Sequence, residues 1–326
     1  MIRLGIDAAD LERAAGWLRE GRLVAIPTET VYGLAANAAD PDAVRRVFAA
    51  KGRPADHPVI VHLPGAGSLD GWAEDVPDGA RRLAAAFWPG PLTLVLKRGP
   101  RVDDVITGGQ PTVGLRVPAH PVAQALLKRF GGALAAPSAN RFGHVSPTTA
   151  AHVLKEFDDE VVAVLDGGAC DVGLESTIVD LSGDAPRLLR PGMIPAAAIE
   201  EVIGAPLAET GEGEGPRASG RLPSHYAPKA PLSLVSSEAL DEAVAKALEQ
   251  GSAAVLARRA SAALHDRCRW FRLPDRAEDY ARELYAALRR ADAHEPALIL
   301  VEAVPDGPDW QAIRDRRRRA SAGRNR

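Results

Sequence analysis

Cysteine is scarce: Cys170 and Cys268 are the only two in 326 residues. Two cysteines this far apart in the chain exclude a disulfide scaffold, a Cys-x-x-Cys redox pair and a thiolate zinc cluster, and they suit a reducing compartment. Each reads as an ordinary structural thiol. Long hydrophobic runs are missing too, since no stretch approaches the ~18 apolar residues that a membrane span needs. Charges recur through the opening MIRLGIDAADLERAAGWLRE, which does not read as a signal peptide. The expectation is a soluble, cytoplasmic protein. Neither sign of charge is in excess: 40 Lys and Arg against 43 Asp and Glu leave a net charge of −3. That excludes an overall basic nucleic-acid coat and confines any anion site to a local pocket. GxxxxGK[ST], HExxH and GxSxG do not occur, so a Walker-type loop, a zinc protease and a serine hydrolase have no foothold. GEGEG at 211–215 is not GxGxxG and follows no strand, so a dinucleotide reading is unsupported. Internal repeats and long low-complexity tracts are absent as well.

What is present is ordinary globular material, 46 % hydrophobic and 25 % charged, in a length that suggests about two domains. In the first two hundred residues helical and strand patterns interleave. Asp10 precedes LERAAGWLRE, whose Leu11, Ala14, Ala15 and Leu18 share a helical face, and Gly21 supplies the stop. Asp40 followed by Pro41 is a helix start for DAVRRVFAAKG. RLVAIPT, PVIVHL, LTLVLK, VVAVLDGG and STIVDL read as short buried strands, and ALAAPSAN as a strand running into a loop. HPVAQALLKRFGG and TTAAHVLKEF read as helices. The fold class is α/β, and the hairpin-like spacing of some strands argues against a purely parallel sheet. From about Ala208 to Pro231 glycine, proline and charge dominate, as in a linker. LSLVSS, SEALDEAVAKALEQG, AAVLARR, RAEDYARELYAALRRA, ALILVEAV and DWQAIRDRRRRAS then alternate strand and helix in a second, smaller α/β domain. The terminal DRRRRASAGRNR is the one basic cluster, read as a solvated helix end in preference to an RNA contact.

Polar groups gather at strand ends in apolar surroundings. Thr28, Glu29, Thr30 and Tyr32 follow LVAIP; Lys51 and Arg53 precede the strand carrying His62; Arg116 lies inside VGLRVP. Ser138 and Asn140 sit in APSAN, Ser176 in GLESTIVDL, and Arg190 before a Pro-Gly turn. In open α/β sheets ligands bind where strand ends meet loops, and three arginines with a lysine suit a compact polyanion such as a nucleoside triphosphate. Each residue also has a plain structural reading. Lys51 and Arg53 can cap a helix, Arg116 can pair with a buried acid, His62 can be a satisfied core histidine, and Ser138 and Asn140 can bond their own turn.

Taken in order, PTETVYGLAANA, KGRP, HPVIVHL, FWPGPLTLVL, VGLRVP, APSAN with SPT, and LESTIVDL resemble the YrdC family over about residues 8 to 205. The paired signatures Lys51-Gly52-Arg53 and Ser138-Ala139-Asn140 are both present. HYAP at His225 to Pro228 and the small domain after it resemble the long, two-domain form of that family. Long members often carry SPGM ahead of HYAP, whereas this chain reads SGRLPSHYAP. The resemblance implies a YrdC-like mixed twisted sheet with helices in residues 1–207, a linker or lid over 208–231, and a smaller Rossmann-like α/β domain over 232–326. It further implies a nucleotidyltransferase that turns L-threonine, bicarbonate and ATP into L-threonylcarbamoyladenylate, pyrophosphate and water. A partner transferase then moves the threonylcarbamoyl group to tRNA beside the anticodon, with direct tRNA contact open. By motif position, Thr30, His62, Arg116, Ala136 and Ser176 fall to threonine. Lys51, Arg53, His57, Thr112, Ser138, Asn140, Ser146 and Arg190 fall to ATP, with Tyr226 closing over the nucleotide. Lys51 and Arg53 are the catalytic pair, and Mg2+ arrives with ATP rather than in a protein metal site. Two alternatives are a double-stranded RNA-binding module without ATP turnover, and a carbamoyl-adenylate enzyme of metallocentre maturation. The near-neutral charge counts against the first, and the second lacks its cysteine-rich zinc segments here.

Overall fold

The computed structural model describes every residue except 159, 209–214, 221–224, 262–264 and 324–326. Parts of the expected linker and the last three residues of the basic tail therefore lie outside the described residues. The chain divides into two units: residues 1–142, 147–171 and 175–221, and residues 143–146, 172–174 and 222–326.

The first unit runs β1 (Ile2–Leu4), α1 (Ala8–Arg19), β2 (Val24–Ile26), β3 (Gly33–Asn37), α2 (Pro41–Lys51), β4 (Ile60–His62), α3 (Asp78–Phe87), β5 (Leu92–Lys97), α4 (Asp104–Thr107), β6 (Thr112–Arg116), α5 (Pro121–Phe130), β7 (Leu134–Ala135), α6 (Ala150–Leu154), β8 (Ala163–Leu165), β9 (Thr177–Asp180), β10 (Arg187–Arg190) and α7 (Ala196–Ile203). Its ten strands form one sheet in the order β1-β8-β2-β3-β7-β4-β6-β5-β9-β10. The sheet is mixed: β4 lies parallel to β6 and β5 to β9, whereas β5 and β6 are antiparallel. Helix α2 starts as its sequence dictates. Asp40 accepts from the amides of Asp42 and Ala43, Pro41 fills the first turn, and Gly52 stops the helix at φ 60°. Helix α1 departs from expectation. Asp7 is its N-cap, accepting from Asp10 N, while the Asp10 carboxylate turns back to the amide of Gly5 at 2.7 Å. Two other expected elements are short. Pro137 follows β7 and cannot donate to a ladder, and α6 ends after one turn and a half.

The second unit holds β11 (Leu232–Val235), α8 (Leu240–Gln250), β12 (Ala253–Ala257), β13 (Cys268–Arg272), α9 (Ala277–Asp292), β14 (Leu298–Glu302) and α10 (Gln311–Ser321). Its four strands are all parallel, in the order β11-β14-β12-β13. Val255, Leu300 and Ala257 meet Leu240 and Ala247 of α8 in its core. Two short segments expected in the first domain group here instead. Gly173 packs so closely on α9 that a Cβ would lie 2.5 Å from Arg282 Cα, and its φ of 80° also favours glycine. Arg289 of α9 donates to the carbonyls of Val145 and Ser146.

The basic end of α10 is not the solvated helix end that composition suggests. Arg316, Arg317 and Arg319 are buried. Asp315 is the hub: its carboxylate meets Arg316 at 2.7 Å, Arg319 at 3.0 Å and Arg318 at 3.5 Å. Burial pushes the Asp315 carboxyl up, but Arg316 and Arg319 outweigh it and hold it below its usual range.

Candidate active site

Alternation along the strands builds the site. Successive side chains point to opposite faces, so Ile60 and His62 share one face of β4, and Thr112, Gly114 and Arg116 one face of β6. The parallel register sets Ile60 beside Gly114 and His62 beside Arg116. Thr93 of β5 and Ile178 of β9 continue the same face, lining a narrow cleft with Ile60, Gly114 and Thr112.

At one end of this face sit the residues assigned to threonine. Arg116 is buried; its Nη1 donates to Thr30 Oγ1 at 2.8 Å and its Nε to the carbonyl of Gly90 at 3.3 Å. Its Nη2 lies 2.6 Å from Glu29 Oε1, so the pairing with a buried acid is realised. Thr28 Oγ1 donates to the carbonyl of Val31 and lies 2.9 Å from Thr30 Oγ1. Each hydroxyl owns one proton, so Thr30 donates to Thr28 and accepts from Arg116. It has only a lone pair left to offer. His62 Nδ1 and Glu29 Oε2 are buried with no hydrogen-bond partner among the described residues. Burial, then the neighbouring Arg116, pushes the His62 imidazole down to about 3, so it is neutral. Buried polar atoms are ordinarily paired, so these two are open to a further polar partner. Ala136 continues from β7, its amide donating to the carbonyl of Ile60 at 3.0 Å.

Ser176 joins the two sets. Its hydroxyl lies 2.8 Å from Thr93 Oγ1 and accepts from Arg190 Nη2 at 3.1 Å, while its carbonyl accepts from Arg190 Nε at 3.0 Å. Arg190 ends β10 before the Pro191-Gly192 turn, which packs on β9 so tightly that a Cβ on Gly192 would lie 2.3 Å from Thr177 N. Arg53 donates to the carbonyl of Pro58 at 2.7 Å and to Ser219 Oγ at 3.2 Å. Lys51, the last residue of α2, is buried, and its Nζ donates to the carbonyls of Ser138 and Asn140. Burial, then Arg53, pushes this ammonium well below the usual lysine range. Lys51 thus braces the APSAN turn from beneath. His57 is partly buried beside the ring of Phe142, with centroids 5.4 Å apart, and burial lowers its imidazole too.

Ser219 is a residue the sequence reading passes over, although it opens the SGRLPSHYAP stretch that departs from the family pattern. Its carbonyl accepts from Arg190 at 2.9 Å and its hydroxyl donates to the carbonyl of Pro58 at 3.0 Å. Gln110 and Arg217 hold the same segment by reciprocal bonds, and Ala218 packs on Val95, Ile178 and Leu189. Residues 217–219 therefore pack over the Ile60, Val95 and Ile178 part of this face and line the cleft. Glu29 is the second such residue, quoted with its neighbours but given no role. Ser146 and Tyr226 belong to the second unit. There the Tyr226 ring, at φ 61°, stacks on Tyr285 at 5.6 Å with the Arg316 guanidinium 5.3 Å above it.

A mixed sheet with one face polar at its strand ends, followed by a small parallel α/β unit, has known counterparts. Residues 17–192 match the family described as telomere recombination, which joins Sua5, YciO and YrdC. Residues 194–322 match the threonylcarbamoyl-AMP synthase C-terminal domain. The threonylcarbamoyl-AMP synthase of Pyrococcus abyssi is 42 % identical over 99 % of this chain and 97 % of its own. That of Bacillus subtilis is 38 % identical over 98 % and 95 %. The crystal structure of P. abyssi Sua5 complexed with L-threonine superimposes with a TM-score of 0.91 at 41 % identity, covering 98 % of this chain and 96 % of that one. The chain belongs to the threonylcarbamoyl-AMP synthase family of enzymes.

Proposed function

We propose that this chain condenses L-threonine, bicarbonate and ATP into L-threonylcarbamoyladenylate, releasing pyrophosphate and water, and that a separate transferase carries the product to tRNA. The observation that carries the reading is Ser176, which touches Arg190 on the side assigned to ATP and Thr93 on the polar face that holds Arg116 and His62. An amino acid and a nucleotide sharing that face lie side by side.

The chemistry needs placement more than a protein nucleophile. The threonine amine is carboxylated, and the resulting N-carboxylate attacks the α-phosphate while pyrophosphate leaves. Both reactants are anionic, so fixed donors must offset their repulsion. Arg116, held rigid by Glu29, Thr30 and Gly90, takes the threonine carboxylate, and neutral His62 and the Thr30 lone pair take its polar hydrogens. Arg53 and Arg190 face the phosphates. Lys51 fixes the Ser138 to Asn140 turn against the nucleotide, and His57 and Thr112 flank it. Ser146 and Tyr226 stand on the resemblance alone. Residues 217–219 keep water from a hydrolysis-prone mixed anhydride. Among the described residues no three His, Cys, Asp or Glu side chains are grouped to hold a metal. Magnesium enters as the counter-ion of ATP, screening phosphate charge, and no step is assigned to a protein-bound ion.

The test is pyrophosphate release with mass detection of the quenched adenylate. Turnover should require threonine and bicarbonate together; equal turnover without threonine overturns the proposal. Arg116→Lys should raise the KM for threonine more than that for ATP, and a parallel rise in both would remove the carboxylate assignment. An RNA-binding module without turnover predicts no pyrophosphate at all.

A further inference from the structure

The second unit carries a polar cluster that the reaction above does not use. It lies at the carboxyl ends of its central strands. β12 runs on to β13 on one side of the sheet, while β14 runs on to α10, which packs on β11 at the other side. The chain thus leaves β12 and β14, which are neighbours, in opposite directions. In open parallel sheets such a divergence opens a crevice, and ligands bind there.

The side chains at this point are unusual. Glu302 ends β14 and Arg258 directly follows β12. Glu302 is buried and both its oxygens are engaged, Oε1 by the Ser237 hydroxyl at 2.8 Å and Oε2 by the amide of Arg258 at 2.7 Å. Arg317 of α10 donates through Nη2 to the carbonyl of Glu302. Tyr280 of α9 and Arg258 share Trp310, the tyrosine ring 5.4 Å from it and the guanidinium 5.8 Å above it. Three donors in this cluster are buried without an acceptor: Arg258 Nε, Arg317 Nε and Tyr280 Oη. Tyr280 and Arg317 are 1 % and 4 % exposed, whereas Arg258 is partly open to solvent. Buried donors of this kind cost about 1–3 kcal/mol each while unmet. Arg259 and Arg272 stand beside Arg258, the latter donating to its carbonyl at 3.2 Å, and Arg259 pairs with Asp241 at 2.6 Å. Four guanidiniums against the carboxylates of Glu302 and Asp241 leave the strand tips positive.

We infer that this crevice binds a phosphate group, either inorganic phosphate or the phosphoryl end of a small phosphomonoester. Three donors on three different elements suit a tetrahedral oxyanion, whereas a planar carboxylate is met by the two-pronged edge of one guanidinium. The buried carboxylate of Glu302 opposes the anion, and the guanidiniums of Arg258, Arg259, Arg272 and Arg317 outnumber it. Arg258, on the open side, is the point of entry.

The test is calorimetric titration of the full-length chain with sodium phosphate, glycerol phosphate and sodium acetate at constant ionic strength. Wild type should bind phosphate saturably and acetate at least tenfold more weakly. Tyr280→Phe and Arg258→Gln should each weaken phosphate about 10- to 100-fold, the loss of one hydrogen bond to a charged group. Without phosphate, Tyr280→Phe should melt no lower than wild type, since it removes an unmet donor rather than a bond. Glycerol phosphate binding as tightly as phosphate assigns a phosphomonoester; phosphate binding alone assigns the free ion. Equal phosphate affinity in wild type and both variants, acetate matching phosphate, or a lower melting temperature for ligand-free Tyr280→Phe would each overturn the site.

Discussion

His62 shows how a single residue ties the site to stability. Its folded imidazole is held near 3 against an ordinary 6.5. A lowered histidine contributes stability above its unfolded value and loses it as pH falls toward the folded one. Between about pH 6.5 and about 3, wild type should lose about 1.4 kcal/mol per pH unit from this group. His62→Gln should show a flatter denaturant-midpoint profile over that window; an unchanged slope would mean that the imidazole titrates in contact with water. The Arg116 and Glu29 pair obeys the rule for buried charges. Removing one partner strands the other, so Glu29→Gln or Arg116→Met should each cost about 3–5 kcal/mol, while the double variant recovers much of it. Urea unfolding of the four proteins checks this cycle, and strict additivity would dissolve the pair. At this scale the sequence names Arg116 and His62 but leaves two readings for each, because both depend on what stands opposite. The acid opposite Arg116 is Glu29, 87 positions earlier in the chain, and no local pattern announces it.

Among the elements, the turn after β10 positions Arg190. A Cβ on Gly192 would meet the Thr177 backbone at 2.3 Å, so Gly192→Ala must push the turn off β9. Overpacking of this kind costs about 1–3 kcal/mol. The variant should fold with a lowered melting temperature and a raised KM for ATP, with threonine affected less; an unaltered KM for ATP would separate Arg190 from the nucleotide. Strongly patterned elements are legible: Asp40 and Pro41 announce α2, and LTLVLK announces β5. GLAAN of β3 is not, because alanine and glycine have little strand preference. It is a strand because β2 and β7 supply ladder partners on either side. Asp7 rather than Asp10 caps α1 for a similar reason, since Gly5 captures the Asp10 carboxylate.

For the whole molecule, the net charge of −3 and the buried arginines of α10 bear on RNA. Tight nonspecific binding needs many exposed cations that release counterions from phosphates. Filter binding of duplex RNA should therefore be weak at low salt and change little between 50 and 200 mM, whereas a fall of ~10³-fold or more would reinstate a nucleic-acid surface. The family relationship extends over the full length of the chain, and no helix among the described residues is long and apolar enough to cross a membrane.

The amino-acid sequence by itself determined the α/β class, the mixed sheet and the ordered motifs that identify the family. These follow from periodicity, capping and spacing, which are local properties of the chain. Only the tertiary structure decided that Arg116 is neutralised by Glu29, that Ser219 bridges Arg53 and Arg190, and that the terminal arginines are buried around Asp315. The first two are contacts between residues far apart in the chain, and the third depends on which face of α10 is covered. The free energy of a charge depends on which oxygens surround it after folding, and no neighbour in sequence fixes that.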